Sequence, residues 1–75
     1  MKLERGCVYR IDMPPAMARD VLVVAPIDSP STYSLVSLQG IIPIGGTTVL
    51  HKSEMPYCSK IADSLAQYYN GGYQN

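Results

Sequence analysis

The sequence contains neither tryptophan nor phenylalanine, and its aromatic character rests on six tyrosines. Only 16 % of its residues are charged, below the roughly one-quarter usual in soluble domains, and the deficit is local: no charged side chain occurs between Asp28 and His51. The six basic and six acidic residues cancel. A neutral chain without Trp or Phe lacks the basic stripe and stacking aromatics of a dedicated nucleic-acid binder. Two cysteines, Cys7 and Cys58, do not make a disulfide framework. With His51, the only histidine, they fall one ligand short of a closed zinc site, and no C-x-x-C spacing exists, so neither a metal nor another cofactor is expected. No apolar run approaches the ~18 residues of a membrane span. No apolar segment follows Lys2, Glu4 and Arg5 as a signal peptide requires, so a cytoplasmic chain with reduced thiols is the expectation.

What is present reads as one small domain, mainly β. A chain of 75 residues buries only ~60 % of its unfolded surface, so its margin of stability is thin. After a short charged lead-in, Met1 to Arg5, that is expected to fray, Gly6 opens a strand over Cys7 to Asp12. There Cys7, Tyr9 and Ile11 share a core-facing side. Met13-Pro14-Pro15 ends it, because proline cannot donate to a ladder. The unalternating run Val21 to Ala25 reads as a central strand covered on both faces, stopped by Pro26 and the turn-forming Asp28-Ser29-Pro30-Ser31. Further strands are expected over Thr32 to Leu38, Ile41 to Ile44 and Thr47 to His51, separated by glycine turns at Gln39-Gly40 and Gly45-Gly46. Five short strands in this length suit a compact barrel, spanning about residues 6–51.

Beyond Lys52 the pattern changes. Cys58, Ile61, Leu65 and Tyr68 recur at helical spacing, with Lys60, Asp63, Ser64 and Gln67 on the opposite side. The spacing predicts a helix from about Pro56 to Tyr69, capped by Ser53 or Met55 and stopped by Asn70-Gly71, with a polar tail over 70–75. If that helix belongs to the core, Leu65→Ala should cost roughly 2–5 kcal/mol.

The strand series Gly6-Cys7-Val8-Tyr9-Arg10-Ile11-Asp12, Val21-Leu22-Val23-Val24 and Tyr33-Ser34-Leu35-Val36-Ser37-Leu38-Gln39-Gly40-Ile41-Ile42-Pro43-Ile44 resembles the small SH3-like barrels common among phage-encoded proteins. That likeness covers about Leu3 to Leu50 and implies an SH3-like barrel; with the helix that the spacing predicts, the expected fold is a small five-stranded barrel with one C-terminal α-helix. Arg19-Asp20-Val21-Leu22-Val23-Val24-Ala25-Pro26 and Ile41-Ile42-Pro43-Ile44 are also similar to strands of the MazF/PemK toxins, which share an SH3-like core and cut RNA. This second likeness implies that Arg19 contacts RNA phosphate. Asp20 stands where that family usually has proline and Gly45 where it has threonine, and its chains are longer, so no ribonuclease activity is expected.

No residue set has the spacing of a catalytic site. His51 as acid–base needs a nucleophile and an orienting partner within reach, and reads instead as a polar strand end. Gly45-Gly46 lacks the Lys-Ser or Lys-Thr of a phosphate loop. Four of the six tyrosines, Tyr57, Tyr68, Tyr69 and Tyr73, fall near the C-terminus, and tyrosine is enriched at interfaces. The uncharged hairpin, with Thr32, Ser34, Ser37 and Gln39 as its polar set, reads as an edge open to strand addition. The expectation is therefore a non-enzymatic protein-binding module. Its partner is a larger host protein or complex, in the manner of a phage-encoded regulator or inhibitor of RNA polymerase or a defence complex. A MazF/PemK-like RNA-cleaving toxin and a self-assembling structural component, or a homodimer, are the alternatives. Thr32, Ser34, Ser37, Gln39, Tyr69 and Tyr73 are the expected partner-binding residues. On that reading Thr32→Lys and Ser37→Lys weaken capture and leave folding nearly unchanged.

Overall fold

The computed structural model describes residues 3–26, 33–40, 44–50 and 52–72. Within them the chain runs β1 (Val8–Ile11), β2 (Arg19–Pro26), β3 (Tyr33–Gln39), β4 (Thr47–Leu50), a 3-10 turn (Lys52–Tyr57), β5 (Cys58–Ala62) and α1 (Leu65–Tyr69). All five strands join one antiparallel sheet in the order β4-β3-β2-β1-β5. The protein is mainly β with a short C-terminal helix. β4 and β5 are the sheet's edges, and among the described residues no pairing joins them into a closed barrel.

Alternation along β1 works as the sequence demands. Tyr9 and Ile11 point to one face and meet Val21, Val23, Leu35 and Leu50 in the main core, with Cys7 beside them. β2 lies in the centre of the sheet, as its unbroken apolar run predicts. Leu35, Leu50, Val8, Val21 and Val23 are the largest fully buried side chains. The opposite face holds a smaller cluster of Val8, Leu38 and Ala62, with Leu22, Ile61 and Tyr68 packed against it.

The lead-in is better fixed than its charge suggests. Leu3 is buried in the main core, and the Glu4 N–H donates to the Tyr9 hydroxyl at 2.9 Å. Glu4 also reaches Lys60 of β5 at 2.8 Å.

The predicted long helix is absent, and its residues divide among three structures. Pro56 sits inside the 3-10 turn, Cys58 to Ala62 form β5, and only Leu65 to Tyr69 are α-helical. The apolar spacing misleads because Cys58 and Ile61 lie three apart in a strand, which sets them on opposite faces. Val8 faces Ala62 while Tyr9 faces Lys60, so the pairing carries one extra residue at Ile61, and this bulge brings Ile61 and Ala62 to one face. Cys58 therefore joins the main core and Ile61 the opposite cluster, which is not the behaviour of one helical stripe. α1 is capped by Ser64, whose Oγ accepts the Gln67 N–H at 3.1 Å, while Gln67 Oε1 reaches back to the Asp63 N–H. It ends as predicted after Asn70: the Gly71 N–H donates to Tyr68 O and the Gly72 N–H to Gln67 O, the paired bonds of a Schellman stop. Gly72 has φ +68, and a Cβ there would lie 2.7 Å from Ile61 O, so glycine is required where the stop packs on β5.

The hairpin also differs from expectation. β3 is an inner strand, paired with β2 along its length and with β4 from Tyr33 to Val36. Beyond that, Gly46 O accepts the Ser37 N–H and Gly45 N donates to Ser37 O, both at 2.8 Å, so the backbone of Ser37 is occupied. Ile44 falls in a turn rather than a strand. The rest of the expected fourth strand (41–43), the turn at 28–31, Thr32, His51 and Tyr73 lie outside the described residues.

These placements set different costs for three substitutions. Leu35→Ala, fully buried, is expected to lose about 2–5 kcal/mol. Leu65, at 37 % exposure in a helix with no buried residue, is expected to lose less than about 1 kcal/mol as alanine. Ser37 is 2 % exposed, so Ser37→Lys is expected to destabilise by about 2 kcal/mol or more rather than leave folding unchanged. Urea titration of the three variants checks the order.

Candidate functional site

An open groove of about 810 Å³ lies on the face of the sheet that α1 overhangs. Its floor is built around a buried carboxylate. Arg10 and Asp20 are register partners on β1 and β2 and so project to the same face. Asp20 is 2 % exposed, and Arg10 clamps it through Nε to Oδ1 at 2.7 Å and Nη2 to Oδ2 at 3.1 Å. The Tyr68 hydroxyl of α1 donates to Oδ2 at 2.8 Å. Gln39 Oε1 lies 3.3 Å from the same hydroxyl. Asp20 thus accepts three hydrogen bonds, which is what a carboxylate at this depth needs.

The neighbouring strands are adjusted to serve this face. In the β2–β3 ladder Asp20 faces Gln39 and Val21 faces Ser37, so Leu38 is an extra residue. That bulge lets Leu38 and Gln39 both line the groove, whereas strict alternation would send them to opposite faces. The β1–β5 bulge brings Ile61, which lines the groove, to the same face as the buried Ala62. Lys60 closes one side, held by Glu4 at 2.8 Å and Asp63 at 3.0 Å. The wall presents Tyr69, 65 % exposed, and Ile44, 74 % exposed. The Tyr68 and Tyr69 rings meet edge to face, with centroids 5.4 Å apart.

Of the expected partner-binding residues, the structure brings Gln39 and Tyr69 together in this groove. Ser34 is half-buried in the sheet and Ser37 is buried, so neither joins them. The uncharged edge predicted for the hairpin is realised one strand later, at β4, whose Thr47, Thr48, Val49 and Leu50 carry no charge. The other edge, β5, carries Lys60, the type of residue that discourages foreign pairing.

Arg19 lies apart from the groove. It faces Ile11 across the β1–β2 ladder and pairs with Glu54 of the 3-10 turn at 2.9 Å. Its Nε is buried without a hydrogen-bond partner. A phosphate reaching it would meet the Glu54 charge. Cys58 is nearby, its Sγ donating to Glu54 O at 3.5 Å. Burial, and then the Glu54 charge, push its thiol up to about 11, so it is protonated at neutral pH. Cys7 and Cys58 are free thiols. Among the described residues no three His, Cys, Asp or Glu converge as a metal-binding set, and no helix is long and apolar enough to cross a membrane.

Arg10, Asp20 and Tyr68 were not singled out by sequence. A signal for the first two exists. A hairpin folded about Pro15 pairs Val8 with Leu22 and necessarily sets Arg10 opposite Asp20. Comparison with protein families, curated proteins and solved structures finds no match to this chain.

Two outcomes follow from the network. Arg10→Ala leaves a buried carboxylate without its cation and is expected to cost about 3–5 kcal/mol. Asp20→Ala leaves the Arg10 side chain, 51 % exposed, to water, and is expected to cost less, about 1–3 kcal/mol. Paired chemical denaturation curves test that asymmetry. The second outcome concerns pH. Burial, and then hydrogen bonding to Asp20, push the Tyr68 hydroxyl up to about 12 from its ordinary 10.0. A raised group stabilises the fold fully below its unfolded value and loses that contribution as pH climbs through the folded one. Lys60, raised by its bonds to Glu4 and Asp63, acts in the same direction. Stability is therefore expected to fall between pH 10 and about 12, and to fall less steeply in Tyr68→Phe, as read from urea midpoints across that range.

Proposed function

We propose that the chain is a non-enzymatic protein-binding module that docks a larger partner on the groove between α1 and the sheet. The observation that carries this reading is the meeting of Gln39 and Tyr69 with the exposed Ile44 over a floor fixed by the bonds of Arg10 and Tyr68 to the buried Asp20. A firm base under an exposed aromatic and an exposed aliphatic side chain is the arrangement of an interface anchor, where ordering on binding costs little. The strand order also supports kinship with SH3-like barrels: a four-strand meander, a 3-10 turn, and a fifth strand returning to the first. A regulator of a host machine remains the functional setting that the phage-type likeness suggests.

The chemistry at Arg19 favours binding over RNA cleavage. The residue that the toxin likeness assigns to phosphate is paired with Glu54, whose charge opposes a phosphate there.

Affinity capture from cell lysate with the tagged chain tests the proposal. Tyr69→Ala combined with Ile44→Ser changes two exposed side chains, so the fold should persist, while the captured partner should fall by about tenfold or more. Equal capture by the folded double variant would overturn the groove. Site-specific cuts in a long single-stranded RNA, abolished by Arg19→Ala, would replace the binding reading with the ribonuclease one.

A further inference from the structure

The charged groups around the groove already satisfy one another. Asp20 takes the Nε and one Nη2 N–H of Arg10, and Lys60 is shared by Glu4 and Asp63. Hydrogen-bonding capacity nevertheless remains. A guanidinium carries five N–H donors in a planar fork, and the two given to Asp20 leave three. Among the described residues those three donate to no protein group. They lie on the end of the fork turned away from Asp20, on a side chain that is 51 % exposed and lines the groove. The same groove carries its two most accessible apolar surfaces on Ile44 and Tyr69. The site thus offers strong donors and apolar area with its net charge already cancelled.

We propose that the groove accepts an uncharged, extended peptide segment of the partner, whose backbone carbonyls take the outer N–H groups of Arg10 and whose apolar side chains cover Ile44 and Tyr69. This rests on the protein-binding reading and adds the chemistry of the occupant. An extended backbone repeats its carbonyls along one side every second residue, while its side chains alternate. One such segment can therefore meet the fork and the apolar wall together. A carboxylate or phosphate would meet the same donors, but it would come to rest beside the Asp20 charge, with Asp12 also near enough to act on Arg10. A lysine or arginine would face Arg10 and Lys60. A neutral segment meets neither penalty.

Selection of random peptides of about twelve residues on the purified chain tests this directly. Selected peptides are synthesised and their binding is measured by fluorescence anisotropy. The expected sequences are uncharged and apolar. Their Kd should change less than about twofold between about 50 mM and about 500 mM salt, because no net charge is exchanged. Ile44→Asp and Tyr69→Ala should each weaken binding about tenfold. Arg10→Lys keeps a cation against Asp20 but loses the planar fork, and should also weaken binding about tenfold, with its fold checked by the near-ultraviolet tyrosine signal. Enrichment of acidic or basic peptides with steep salt dependence would overturn the proposal. So would peptides indifferent to Ile44→Asp and Tyr69→Ala, or no enrichment. A lysate partner that depends on Tyr69 but binds through a charged segment would leave the binding module standing and remove this inference alone.

Discussion

A carboxylate buried on the face of a small sheet constrains everything packed around it. Asp20 is costly to bury unless its oxygens are fully hydrogen-bonded, and its partners come from β1 and α1. Satisfying it therefore fixes the helix against the sheet and the first hairpin in register at once. A slip of one residue between β1 and β2 would move Arg10 to the opposite face and leave the charge unpaired. In so small a protein this gives one polar residue a share in specifying the arrangement that the apolar core alone would leave looser. The helix gains most from it. α1 has five residues and no buried side chain, so its capping bonds, its glycine stop and the Tyr68 hydroxyl hold it where packing does not.

Of the three bulges in the ladders, one lies at Val24 of β2, and the other two have a common effect. Each inserts one residue opposite β1 or β2 and delivers an additional side chain, Leu38 in one case and Ile61 in the other, to the face that holds Asp20. A regular ladder would leave that face with fewer apolar groups around the ionic cluster. The main core on the other face needs no such adjustment, because Tyr9, Ile11, Val21, Val23 and Leu35 follow plain alternation.

This difference also explains how much could be read from the sequence. β1, β2 and β3 were legible because apolar alternation or an unbroken apolar run, closed by proline or glycine, reports directly on a regular strand. β5 was not, because Cys58, Ile61 and Leu65 are spaced as on a helix although Cys58 packs on the main core, Ile61 on the opposite cluster, and Leu65 is exposed. Ser64-x-x-Gln67 is a capping signature that marks the true helix start, and it outweighs the apolar spacing as a local signal. In the groove, Gln39 and Tyr69 were legible as polar and aromatic residues lacking a core role. Arg10 and Asp20 were legible only through the hairpin register about Pro15, and Tyr68 was not, since its meeting with Asp20 is a tertiary contact that composition does not record.

The pairing of β5 with β1 carries a consequence for how the molecule comes into being. During synthesis β1 emerges first and can zip against β2, yet its other side stays bare until Cys58 to Ala62 arrive to lie against Ile11 through Val8. Through that interval the nascent sheet exposes an unpaired row of backbone groups next to Arg10, and Asp20 waits without the Tyr68 hydroxyl. The uncharged β4 joins the growing sheet at its far side before either is in place. The half-made protein therefore has two adhesive margins where the finished one keeps a lysine on one of them. The last strand works as a seal as much as a fifth of the sheet, and a ribosome stalled short of it would present a surface suited to chaperone capture or to joining a neighbouring nascent chain.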